Sequence, residues 1–180
     1  MKIVNHLIIY IIIQLSLVGC NSTYKSEANL TCMCILSPTS TAHDTYLIEV
    51  NGNGVIKTSF GCLPDTIEKI IKKNEIIDTQ HINLIEDIEK TKRYQLSVED
   101  NTNLKEMIGH LSVKSVNNPF VEGWFWDAWM VILMVNDKQF VYEKNTNPNK
   151  DIDSIVNELI RLSPIPVSFN KLMGGERRVQ

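Results

Sequence analysis

The chain has 180 residues, 43% of them hydrophobic and 22% charged, with 18 Lys+Arg against 21 Asp+Glu. That composition belongs to a folded protein of one domain, or two small ones, and excludes a disordered tail. A net charge of −3 with no basic run excludes the clustered cations that phosphate neutralisation requires, so nucleic acid is not an expected partner.

The chain opens on Met1-Lys2, a short positive start, and residues 7–18 then form an almost uninterrupted apolar run that ends at Gly19-Cys20. This is the order of a secretory signal peptide: n-region, h-region, cleavage site. A spanning helix needs about 20 apolar residues, and Asn21-Ser22-Thr23 breaks the run too early for one. A buried core helix would show a polar stripe, whereas residues 7–13 are apolar all round.

Within that segment, Leu17-Val18-Gly19-Cys20 resembles the bacterial lipobox. The resemblance implies that residues 1–19 are a lipoprotein signal peptide cut between Gly19 and Cys20. It also implies that the Cys20 thiol carries a diacylglyceryl group with long acyl chains such as palmitate. Each buried methylene contributes about 0.8 kcal/mol, so two or three chains hold a protein firmly at a bilayer. Asn21 stands where an inner-membrane retention signal places Asp, which favours the outer membrane. Removal of residues 1–19 takes one lysine with it and leaves a net charge of −4, which disfavours adhesion to anionic lipid.

Residues 20–43 are rich in Ser, Thr and Asn, contain Pro38, and read as the lipidated cysteine followed by a tether, with Cys32-Met33-Cys34-Ile35-Leu36 as an apolar patch packed onto the domain. The domain is expected over residues 44–169, folding without what precedes it, with a tail over 170–180.

Tyr46-Leu47-Ile48-Glu49-Val50 and Val55-Ile56-Lys57-Thr58-Ser59-Phe60, joined by Asn51-Gly52-Asn53-Gly54, predict a β-hairpin, because Asn-Gly pairs supply the positive φ of a tight turn. Residues 64–93 predict helix from Ile67, Ile70 and Ile71 and from Leu84, Ile85 and Ile88, with short strands as the alternative. Ser97 caps a helix over 98–111, with Leu104, Met107, Ile108 and Leu111 on one face and Asp100 at its third position. A second hairpin spans 128–143, turning at Asn136-Asp137, and its first strand, residues 129–135, is apolar on both faces. Ile152, Ile155, Val156, Leu159 and Ile160 predict a helix over 151–162, which Pro164 and Pro166 end. The expected fold is α+β: an antiparallel sheet of two hairpin-plus-helix units with the helices packed on one face.

Chemistry is sparse. An exported protein meets an oxidising compartment, where Cys32 or Cys34 can bridge to Cys62; in an anaerobic cell the thiols stay reduced. A Cys-x-Cys pair with one distant Cys and no clustered His is not metal spacing, so no metal or other cofactor is expected. His43, His81 and His110 read as surface residues, and neither a nucleophile elbow nor a His-Glu-x-x-His helix accompanies them. Trp124-Phe125-Trp126-Asp127-Ala128-Trp129 holds all three tryptophans. They either pack, with Phe125 and Trp129 inward, or form a stacking platform from Trp124 and Trp126.

Trp129, the Asn136-Asp137 turn, Phe140, Tyr142 and Glu158-Leu159-Ile160-Arg161-Leu162-Ser163-Pro164-Ile165 are similar to small lipoproteins of Bacteroides-type bacteria. The similarity covers about the last third of the chain and implies an envelope lipoprotein with an α+β domain; it implies no activity. The expected function is a non-catalytic interaction module with a protein partner in the envelope. An immunity or inhibitor lipoprotein is the alternative, and an envelope hydrolase is less favoured. The expected contact surface is the open side of the second hairpin, Met130, Ile132 and Met134 with Trp124 and Trp126 at its edge, unless residues 64–93 fold over it.

Overall fold

The structure is a computed structural model and describes residues 30–41, 43–111, 128–135, 138–144 and 150–169. In chain order the elements are β1 (Leu30–Pro38), β2 (Thr45–Asn51), β3 (Val55–Cys62), α1 (Asp65–Lys72), β4 (Glu86–Gln95), α2 (Val98–Gly109), β5 (Trp129–Val135), β6 (Lys138–Glu143) and α3 (Lys150–Leu162). The strands form one antiparallel six-stranded sheet, ordered β4-β3-β2-β1-β5-β6. The α+β class is as the sequence implied, and both expected hairpins are present as β2-β3 and β5-β6.

β1 overturns the expected tether. It lies mid-sheet, pairing Cys34 with Ile48 of β2 on one side and with Leu133 of β5 on the other. Cys32, Met33, Cys34, Ile35 and Leu36 are all buried. A strand covered on both faces reads as a short continuous apolar run with no alternation, which inside a Ser/Thr-rich stretch resembles a stray patch. Residues 44–169 therefore lack the strand that joins the two hairpins.

The helices are not confined to one face. Leu104 and Ile108 of α2 and Ile152, Ile155, Val156 and Leu159 of α3 pack with Cys34, Leu36, Ile48, Val131 and Leu133. On the opposite face, Ile67 and Ile71 of α1, followed by Ile77, Leu84 and Ile85, pack with Met33, Ile35, Leu47, Met130 and Ile132. Two covers are needed because β1 and β5 are apolar on both sides. Only the first part of residues 64–93 is helical. Asn74, at φ 56°, closes α1 in the left-handed region, residues 75–85 cover the sheet as irregular chain, and β4 follows.

Local chemistry fixes the joints. Asn51 Oδ1 accepts from the N–H groups of Asn53 (3.1 Å) and Val55 (3.0 Å), and Gly54 at φ 76° completes the β2-β3 turn. A Cβ on Gly54 would stand 2.8 Å from the Asn101 side chain, so the turn also needs glycine for the approach of α2. Ser97 caps α2, accepting from Asp100 N–H at 3.0 Å and donating to its Oδ2 at 2.6 Å. Beyond α3, Thr58 and Ser163 hydroxyls meet at 2.9 Å and Phe169 stacks edge-on against Trp129 at 5.1 Å. Residues 163–169 thus strap the α2-α3 face from β3 to β5.

Candidate functional site

Antiparallel register gives the sheet two ends. At one, β1 begins, Asn51 turns towards β3, and β4 finishes at Gln95 opposite Val55. At the other lie the β1-β2 connection, the junction of β3 with α1, the start of β4, and Ala128 leading into β5. Thr39 stitches this second end: its N–H and Oγ1 donate to Ala128 O at 2.9 and 3.0 Å, and Ala128 N–H donates back to Oγ1 at 3.2 Å.

Beside Thr39 is a cleft of about 180 Å³, lined by Pro38, Thr39, Leu63, Glu68, Ile71, Lys72 and Met130. Sites for drug-sized ligands start at about 300 Å³, so this one admits only a few heavy atoms. Its charged groups, Glu68 and Lys72, pair with each other at 3.4 Å in solvent.

The same end joins two residues that the sequence left apart. Cys62 Sγ lies 3.0 Å from His43 Nδ1, with the thiol buried and the imidazole exposed. Burial raises the Cys62 pKa above the ordinary thiol value, and Asp87, Glu89, Glu86 and Asp44 raise it further. A reactive cysteine needs the opposite surroundings, a cationic field and access. Geometrically the pair resembles a nucleophile and its base, but burial and the surrounding carboxylates favour the protonated thiol over the thiolate such a pair needs. Loop-borne histidines carry no periodicity, so nothing in the sequence signalled this contact.

The expected bridge to Cys62 does not form: Cys32, Cys34 and Cys62 are free and buried. Cys34 is opposite Ile48, and Ile48 opposite Thr58, four residues short of Cys62. Two strand spacings and four residues along β3 separate the Cα atoms by about 16 Å, whereas a disulfide spans at most about 7 Å. Burial lifts the Cys32 thiol pKa to about 12 and raises that of Cys34 as well. Both behave as small core hydrophobes.

Of the expected contact surface, Met130 and Ile132 are buried, at 7% and 0% exposure, beneath α1 and residues 75–85. Met134 is half-buried against the same cluster. The open face of the second hairpin is therefore closed, as in the alternative that residues 64–93 fold over it. Trp124 and Trp126 lie outside the described residues. Trp129 packs inward with Tyr46 and Phe169. Among the described residues, no group of three or more His, Cys, Asp or Glu could hold a metal, and no helix is long and apolar enough to cross a membrane.

No sequence pattern singles out Lys90, Lys92 and Arg93. The structure puts them on β4, an edge strand with nine of its ten residues exposed. A strand bare on both faces has no apolar alternation, which is why its periodicity was silent.

Comparison with family models, curated proteins and solved structures returned no match.

Proposed function

We propose that the chain is a lipid-anchored protein of a bacterial cell envelope, at the outer membrane, and acts as a non-catalytic interaction module. The observation that carries the anchor is Leu17-Val18-Gly19-Cys20 closing an apolar run only ten residues before Leu30, where β1 begins. Ten peptide steps reach at most about 35 Å, so an anchored Cys20 keeps the β1-entry end of the sheet near the bilayer. The end bearing Thr39, Cys62 and the cleft lies about 27 Å further along β1.

Support for a module over an enzyme comes from the chemistry of that end. The thiol is held protonated by burial and carboxylates, and the cleft offers only a mutually paired Glu68 and Lys72. Groups that must take or give protons at neutral pH need their pKa values moved towards it, and Cys62 is moved away.

Metabolic labelling with an alkyne fatty acid tests the anchor. The wild type is expected to take the label and fractionate with membrane, while Cys20→Ala loses the label and accumulates as precursor. A labelled, membrane-bound Cys20→Ala would overturn the proposal.

A further inference from the structure

β4 is the barest element of the fold. It ends the sheet order, so only β3 pairs with it among the described residues, and nine of its ten residues are exposed. The opposite edge strand, β6, is shorter, buries Phe140 and Tyr142, and is tied to residues 75–77 by Gln139.

Its charge is ordered by the register. Lys90 and Lys92 lie opposite Phe60 and Thr58 and so share the α2-α3 face with Tyr94, whose hydroxyl donates to Leu162 O at 2.7 Å. Arg93 lies on the other face, opposite Lys57, which pairs with the buried Glu49 at 3.2 Å. Lys90, Lys92 and Arg93 have no ion-pair partner among the described residues. The strand also carries Glu86, Asp87 and Glu89, but on the α2-α3 face between residues 88 and 95 Lys90 and Lys92 stand with no acid beside them.

The strand is also held rigidly on its inner side. Thr91 and Ser59 hydroxyls meet at 3.0 Å, and Gln95 Nε2 donates to Asn53 O at 2.8 Å. An edge fixed in this way presents its outward N–H and C=O groups with little ordering left to do on binding.

We infer that the outer edge of β4, over residues 88–95, receives an extended acidic strand of another protein, which continues the sheet by backbone hydrogen bonds and pairs its carboxylates with Lys90, Lys92 and Arg93. This names the surface of the interaction module and rests on that reading, but not on the lipid. Charge disfavours a second copy of the chain in the registers that overlap Lys90 and Lys92 most fully. Two-fold antiparallel pairing keeps like faces together, so a centre at Thr91 sets Lys90 against Lys92 twice, offset by Glu89 against Arg93 on the other face. Centres at residues 90 and 92 set one lysine against itself. Like charges directly opposite destabilise a ladder, and edge lysines are a known barrier to self-association. The same field favours a strand of the opposite sign.

The test uses the full chain as purified from its own cells in detergent micelles, titrated with an eight-residue peptide alternating valine and glutamate and with its valine-lysine counterpart. The acidic peptide is expected to bind at least about tenfold more tightly, because in one register its glutamates face both Lys90 and Lys92 while the lysine peptide is repelled there, and to slow amide exchange at alternate positions within 88–95. Combined Lys90→Glu, Lys92→Glu and Arg93→Glu, with an unchanged thermal transition, is expected to invert that preference. Equal binding of the two peptides, or protection elsewhere, overturns the inference and leaves β4 a merely protected edge. Phosphatidylglycerol vesicles giving the same protection, or protection rising with the chain's own concentration without peptide, overturn it in favour of lipid or a second copy. A photo-crosslinker placed in cells at Lys92 and at Lys72 separates this failure from that of the module reading. An adduct from Lys92 to an extended acidic segment supports the inference. Protein adducts from Lys72 alone overturn the edge and keep the module, and no adduct from either position overturns both.

Discussion

Gln139 Oε1 accepts a hydrogen bond from the backbone N–H of Ile77 at 2.9 Å, across 62 residues of sequence. Its Nε2 donates to Glu75 O at 3.1 Å, so one β6 side chain satisfies two backbone groups of the irregular cover. This clamp lets chain without helical or strand hydrogen bonds lie over the sheet and seat Ile77, at 2% exposure, in the core.

Replacing Gln139 by Ala is expected to cost about 1–2 kcal/mol, because the part-buried Ile77 N–H loses its partner. Urea unfolding gives the loss, and hydrogen exchange is expected to quicken at Ile77 before it does in β1.

A chain beginning at residue 44 is expected not to fold, because it lacks the strand between β2 and β5. A chain beginning at residue 30 retains β1 and is expected to unfold in one cooperative transition, as small domains do. Far-UV circular dichroism against temperature distinguishes the two.

The buried thiols give the fold a sensitivity to alkali. Cys32 titrates near 9 as a free thiol and at about 12 in the fold. A folded pKa raised above the unfolded value means that the fold binds the proton more tightly. Its contribution is complete below pH 9 and is lost as pH climbs from 9 towards 12. Between pH 8 and pH 10 the stability of the wild type relative to Cys32→Ala is expected to fall by about 1 kcal/mol. Urea titrations of both proteins at the two pH values give that difference.

Asp100 gives the opposite sign. The Ser97 hydroxyl first, then Arg161, hold its carboxyl below the usual range, and Arg161 joins it to Glu158 of α3. A depressed folded pKa stabilises above the unfolded value and is lost as pH falls through the folded one. Asp100→Asn is therefore expected to lower the melting temperature at pH 7, and the gap to close below about pH 3.9 as the unfolded-state carboxyl also protonates.

Where one face of an element meets solvent, the sequence was readable. Ile152, Ile155, Val156 and Leu159 fell on one stripe of α3, Ser97 and Asp100 marked the start of α2, and Asn51 to Gly54 marked a turn. It was unreadable at the two extremes of exposure. β1 is buried on both faces and β4 is bare on both, so neither shows a period of two. The pairing of Cys62 with His43 and the clamp from Gln139 to Ile77 depend on tertiary register, which no local pattern encodes.

Mass spectrometry of the mature protein from its own membranes reads out whether a lipid anchors the domain just ahead of its middle strand. The expected N-terminal peptide begins at Cys20 and carries a diacylglyceryl group on its sulfur. An N-terminus upstream of Cys20, or a Cys20 found as a free thiol, would contradict the anchor.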